Sequence, residues 1–144
     1  MSAQKVVILT GASRGKICLS WNNHIIKADS IGIGLAIAHC LLEQSTNVVV
    51  VARSQQPLEN LSKQYPGQVK VLAGDLADFS LGNKALDLAT STWNRLDGII
   101  INHGILAPVK KVANSEADEW RDLFDVNVFS AISMVCISII SGPI

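Results

Sequence analysis

The chain is short of several things, and each shortage narrows what it can be. Neither sign of charge is in excess: Lys and Arg together number 12, and so do Asp and Glu. That balance gives no electrostatic footing for nucleic acid or an anionic membrane as a partner. No basic segment followed by an apolar one opens the chain, so secretion is not expected. The longest apolar stretch, Val126 to Ile140, is interrupted by Asn127 and by Ser130, Ser133 and Ser138. It falls short of a comfortable bilayer crossing, and a buried helix is the simpler reading. Cysteines number three, at Cys18, Cys40 and Cys136. An odd count at these spacings fits no disulfide framework, metal site or redox motif, so no metal is expected and a reducing, cytoplasmic setting is the default. There is no internal repeat and no low-complexity linker.

What is present is core material. Apolar residues make up 49% of 144 residues, enough for one domain with a real interior. "KVVILTG" (Lys5–Gly11), "NVVVVARS" (Asn47–Ser54), "QVKVLAGDL" (Gln68–Leu76) and "LDGIIINHG" (Leu96–Gly104) read as four strands. Their apolar residues are continuous rather than alternating, as in strands buried on both faces of a parallel sheet. Between them run helical patterns. Leu35, Ile37, Ala38, Leu41 and Leu42 share one side of Gly34–Gln44. Pro57–Tyr65 has its proline in the first turn. Ser80–Trp93 is helical, and Ser115–Val135 forms a long helix with Ser115 as N-cap and acidic residues in its first turn. Strands alternating with helices make βαβ units and an α/β fold.

One stretch conflicts with this regularity. "TGASRG" (Thr10–Gly15) opens like a phosphate-binding loop after a strand, and "IGLAIA" (Ile33–Ala38) reads like its close and the start of the next helix. A phosphate site needs close backbone N–H groups, glycines that allow the approach, and a helix N-terminus aimed at it. The pattern T-G-x-x-x-G-x-G fails in both registers: read forward its last position falls on Ile17, and read backward its first glycine falls on Ala28. Removing Lys16–Gly32 leaves "LTGASRGIGLAIA", which fits throughout.

The rejoined text resembles the short-chain dehydrogenase/reductase family, and the fungal benzil- and sepiapterin-reductase-like members in particular. The likeness covers the chain apart from an atypical insert at 16–32 and an atypical tail at 136–144. It implies a Rossmann-like doubly wound parallel sheet with strand order 3-2-1-4, truncated after the fourth strand and following helix: a single incomplete dinucleotide-binding domain over 1–144. It also implies an NADP-dependent oxidoreductase for a small carbonyl or alcohol substrate. Thr10, Gly11, Gly15, Ile33 and Gly34 would form the phosphate loop. Arg53, where NAD-preferring members carry an acidic residue, would meet a 2′-phosphate with Arg14, so NADP is favoured over NAD. The alternative is that both are solvated surface arginines. Asp75 and Leu76 of "GDL" would contact the adenine, or Asp75 could be only a strand-end turn residue. "INHG" (Ile101–Gly104) matches the family's N-N-A-G, with Asn102 and Gly104 kept and Ile101 and His103 departing from it. Asn102 would steady the strand; His103 is read as a hydrogen-bonded strand-end residue rather than a base. "DVNVFS" (Asp125–Ser130) supplies Asn127, matching the catalytic-helix Asn.

The rest of the family's chemistry has no counterpart. A proton-transferring Tyr, a Lys four residues later and a carbonyl-polarising Ser are needed. The single tyrosine is Tyr65 and position 69 is Val. The resemblance therefore implies an enzyme whose activity in this chain is in doubt. The alternatives are a non-catalytic nucleotide-binding or dimerisation module, with a homo-oligomer formed through the 115–135 helix, or an inactive fragment carrying retained introns. For the last, Gly15-Lys16 can be encoded by GGT AAG, which contains an intron start. Ile31-Gly32 can be encoded by ATA GGN, which contains an intron end. The excised piece is a whole number of codons and rebuilds one glycine. Val135-Cys136 can carry another intron start.

Overall fold

The computed structural model describes residues 4–12, 19–21, 24–26, 32–106 and 109–140. Its main sheet has four parallel strands: β1 (Val6–Thr10), β4 (Asn47–Ala52), β5 (Val69–Ala73) and β6 (Gly98–Ile100), in the order β5-β4-β1-β6. In terms of those four strands this is the expected 3-2-1-4. Ile8 sits opposite Val49 on one side and Ile99 on the other. A second, two-stranded sheet lies inside the insert. There β2 (Leu19–Trp21) pairs antiparallel with β3 (His24–Ile26), Leu19 opposite Ile26. This hairpin lies in the segment read as an atypical insert, between the two halves of the glycine motif.

The helices are α1 (Ile33–Glu43), α2 (Gln55–Gln64), α3 (Ser80–Trp93), α4 (Ala117–Phe124) and α5 (Ser130–Ile140). Parallel strands need crossover helices, and these cover both faces of the sheet. Every residue of β4 is buried, which explains its unbroken valine run. Val48 and Val50 join Leu9, Ala38, Leu42, Leu58 and Leu61 on the α1/α2 face. Val49 and Val51 join Ile8, Leu81, Ala85, Ala89 and Met134 on the α3/α5 face. Each fully buried valine or leucine contributes about 2 kcal/mol of transfer free energy. Among the described residues no helix is long and apolar enough to cross a membrane.

Three local readings need correction. Only Gly98–Ile100 of the Leu96–Gly104 run is strand. The expected continuous helix over Ser115–Val135 is three pieces, because a π-helical turn, Asp125–Phe129, separates α4 from α5. Nor is Ser115 the N-cap. Glu116 caps, in a reciprocal capping box with Glu119, whose carboxylate accepts the Glu116 N–H at 2.8 Å. Ser115 Oγ instead donates to the Val112 carbonyl at 2.6 Å and accepts from Trp120 Nε1 at 2.9 Å. The helix then runs on through Cys136 to Ile140, into the segment read as an atypical tail.

Candidate active site

In a doubly wound sheet the crossovers on either side of the first strand leave in opposite directions. A crevice therefore opens at the carboxyl ends of the strands, where the order reverses. Here β1 is that strand, flanked by β4 and β6. A cleft of about 120 Å³ lies at this point, lined by Gly11, Ala52, Arg53, Asp75, Leu76, Asn102, His103, Gly104, Ile105 and Val126. Six residues singled out from the sequence meet in it: Gly11, Arg53, Asp75, Leu76, Asn102 and Gly104.

Two glycines make the floor possible. Gly11 follows β1 with φ +73°, a left-handed conformation that side chains resist. A Cβ there would also lie 2.7 Å from His103 Cα and 2.8 Å from the Asn102 carbonyl oxygen. Gly34, in the first turn of α1, is buried against the same loop. Its Cβ would sit 2.5 Å from the Gly11 carbonyl oxygen, 2.7 Å from Asn102 Nδ2 and 2.8 Å from Ala12 Cα. The two halves of the interrupted motif are thus in van der Waals contact, although the insert separates them along the chain. Asn102 seals the junction by donating from Nδ2 to the Gly11 carbonyl at 3.2 Å.

Thr10 is fully buried beneath this floor and does not face the cleft. Its Oγ1 accepts the Asn102 N–H at 3.1 Å and lies 2.7 Å from His103 Nδ1. Ile33 is 45% exposed and lies outside the cleft lining. Arg14 and Gly15 lie outside the described residues. On the far wall, Arg53 follows β4 and is exposed. Asp75 follows β5, and its Oδ1 accepts the Ala77 N–H at 3.1 Å, so the turn role open to it is realised. Leu76 is buried in the α3/α5 core while bordering the cleft.

The opposite wall is built by the π-helical turn, which widens the helix where Asn127 sits. Asn127 grips one residue through both of its flanking peptide groups: Oδ1 accepts the Ile105 N–H and Nδ2 donates to the Ile105 carbonyl, each at 2.8 Å. That clamp fixes the loop leaving β6, including Gly104. Sequence reasoning overlooked Ala52, Ile105 and Val126 as lining residues, though each stands next to a residue it named. His103, passed over as a base, is held as expected. Its Nε2 lies 2.6 Å from Ser130 Oγ and 3.1 Å from the Val126 carbonyl oxygen. Burial pushes its imidazole below the ordinary value, a shift the Val126 carbonyl partly opposes. Among the described residues no group of three or more His, Cys, Asp or Glu could hold a metal ion.

A sequence profile for the short chain dehydrogenases matches residues 22–139. The chain belongs to the short-chain dehydrogenase family. Two relatives bear on it. An uncharacterized oxidoreductase of Schizosaccharomyces pombe is 35% identical over 135 residues, covering 93% of this chain and 47% of that protein. A benzil reductase ((S)-benzoin forming) of Saccharomyces cerevisiae is 34% identical over 142 residues, covering 92% and 47%. The crystal structure of a short-chain dehydrogenase/reductase from Saccharomyces cerevisiae superposes with a TM-score of 0.79 at 30% identity, over 94% of this chain and 47% of that one. The chain thus spans about half the length of these short-chain dehydrogenase relatives. Members of the family act on small molecules with nicotinamide dinucleotides. The residues present suit such a cofactor: two glycines that leave no room for a Cβ, one after β1 and one in the first turn of α1, and an arginine in the cleft lining.

Proposed function

We propose that this short-chain dehydrogenase chain binds NADP(H) in the cleft. Gly11 and Gly34 admit the pyrophosphate to the N-terminus of α1, whose first N–H groups have no intrahelical partner. Arg53 takes the 2′-phosphate, with Arg14 as its sequence partner, while Asp75 and Leu76 border the adenine. Asn102 and Gly104 hold the nicotinamide end open. The observation that carries the choice of NADP is Arg53, exposed on the cleft wall immediately after β4, where an acidic residue would have suited an unphosphorylated ribose.

The whole activity to which this site belongs is carbonyl reduction or alcohol oxidation on a small substrate. Of the four residues that chemistry uses, Asn127 alone is present, and Tyr65, the single tyrosine, lies at the end of α2, away from the cleft lining. We therefore assign the chain as a single incomplete dinucleotide-binding domain over 1–144, atypical at 16–32 and 136–144, that does not itself transfer hydride at ordinary rates. We place it in the cytoplasm. A second reading, a dimerisation module, is favoured by one feature. Trp120, Phe124, Val128, Ile132 and Val135 are exposed at helical spacing along α4, the π-helical turn and α5, an apolar stripe within the 115–135 segment.

Calorimetric titration with NADPH and NADH tests the assignment. Charge-assisted bonds to a phosphate are worth about 1.5–3 kcal/mol, so NADPH should bind roughly ten- to a hundredfold more tightly. Arg53→Asp should remove that preference. Equal effects on both nucleotides would reject the 2′-phosphate role. Turnover of diketones or aldehydes at ordinary enzymatic rates would reject the inactive reading.

A further inference from the structure

His103 lines the cleft and touches both Thr10 of β1 and the π-helical turn, and its contacts form one directed chain. The Val126 carbonyl can only accept. Ser130 Oγ donates to it at 2.6 Å, so that hydroxyl is left to accept from His103 Nε2, which therefore carries the proton. In the neutral ring Nδ1 is then bare and accepts from the Thr10 hydroxyl at 2.7 Å. Thr10 Oγ1 in turn accepts the Asn102 N–H at 3.1 Å. The order is Asn102 N–H to Thr10, Thr10 O–H to His103, His103 N–H to Ser130, Ser130 O–H to Val126. All the ring's partners are neutral. Of the charged groups on the surrounding elements, Arg53 and Asp75 line the same cleft and Asp125 precedes Val126, and none bonds to the ring.

We propose that His103 is a positioning residue of the dinucleotide cleft. Its Nε2–H tautomer ties the end of β1, under Gly11, to the π-helical turn whose Asn127 clamps Ile105 by its N–H and its carbonyl. It thereby fixes how far apart the two walls stand. The proposal rests on the reading of the cleft as a dinucleotide site. Protonation breaks the order of the chain. A charged ring must donate from both nitrogens, and the displaced Thr10 hydroxyl finds only the Ile100 carbonyl, 3.4 Å away. The wall spacing is therefore set by the neutral ring.

Three forms of the full chain test this: wild type, His103→Ala and His103→Gln. The ring is half-buried, so water can reach Thr10 and Ser130 in the alanine variant and the chain is expected to fold. Glutamine offers one donor and one acceptor about as far apart as the two ring nitrogens, but it cannot take up a proton. NADPH affinity is measured from pH 8 downward, and titration of the ligand's own phosphate is common to all three. At pH 8 the alanine variant should bind about tenfold more weakly than wild type, with glutamine restoring most of the loss. As the pH falls from 8 into the range where the ring takes up its proton, which burial holds below the ordinary 6.5, only wild type should lose a further severalfold. Equal affinities and equal pH dependence in all three would overturn the proposal. If wild type does not bind NADPH at pH 8, the dinucleotide reading fails instead. The positioning role is then judged by ring-nitrogen NMR and amide exchange. An Nε2–H tautomer with faster Asn102 exchange in the alanine variant upholds it, and an Nδ1–H tautomer or unchanged exchange overturns it.

Discussion

Gly34→Ala is the substitution that tests the central contact of this fold. The added methyl would lie 2.5 Å from the Gly11 carbonyl oxygen, 2.7 Å from Asn102 Nδ2 and 2.8 Å from Ala12 Cα. Two of these are backbone atoms of the β1 loop, and the third belongs to a side chain already bonded to Gly11. No flexible group can swing aside. Carbon contacts reach their optimum near 3.5–4.0 Å, so α1 must retreat from β1 by about 1 Å. Such overpacking costs about 1–3 kcal/mol. Alanine's better helix propensity returns less than about 1 kcal/mol in a first turn. The net loss of about 1–2 kcal/mol corresponds to a fall in Tm of roughly 3–6 °C for a domain of this size. Gly98→Ala is the control, because nothing lies within 4 Å of its Cβ position, and it should melt within a degree or two of wild type. Thermal unfolding followed by circular dichroism, with the Asn102 side-chain amide observed by NMR, gives both readouts. If the Gly34 variant melts at or above wild type with an unchanged Asn102 signal, the two halves of the glycine motif do not meet and the cleft assignment loses its floor.

Stability should also fall in acid in two stages. Burial lowers the imidazoles of both His39 and His103 below the ordinary 6.5. The unfolded chain therefore takes up these protons first, and denaturant midpoints should be flat above about pH 6.5 and decline below it. Asp97, held down by the Arg95 guanidinium and by the Val6 N–H at 2.7 Å, contributes stability that is lost only below its ordinary 3.8, so a second decline should begin there. A midpoint that does not change between pH 8 and pH 5 would contradict the first stage. At the level of the gene, the codons at Gly15-Lys16 and Ile31-Gly32 should carry splice-site sequences. A Gly15-Lys16 pair such as GGC AAA excludes the first intron and makes the insert protein in origin.

Much of this architecture is legible in the sequence because its strands are buried on both faces. "NVVVVA" has no polar position to confuse its period, and it forms a strand throughout. Ser80–Trp93 matches its helix residue for residue, since its apolar positions and the left-handed Asn94 at its end agree. The misreadings have local causes. Ser115 has the composition of a cap, but Val112 and Trp120 compete for its hydroxyl and the Glu116/Glu119 pair takes the role. The π-helical turn is invisible to a 3.6-residue period, because one widened turn hardly disturbs the apolar spacing while it changes where Asn127 points. Of the site, Gly11, Arg53, Asp75, Leu76, Asn102 and Gly104 could be read because the motifs that hold them resemble those of the short-chain dehydrogenases, not because their residue types alone point to a site. Ala52, Ile105 and Val126 could not, since an aliphatic residue bordering a cleft looks like any core residue. Ile33, named for its place in the motif, turns outward on the first turn of α1.

The contact between Gly11 and Gly34 makes the segment between them a closed loop with anchored ends. The entropy of closing such a loop grows only with the logarithm of its length, about 0.6 kcal/mol for each doubling. Added chain here is a small burden on a fold whose sheet and helices draw their stability elsewhere. The position is therefore a permissive socket: whatever first placed the hairpin there, the scaffold had little means of rejecting it. The same tolerance offers a route for engineering. A reporter domain with neighbouring termini, grafted in place of the hairpin, would inherit an attachment point beside the mouth of the cleft.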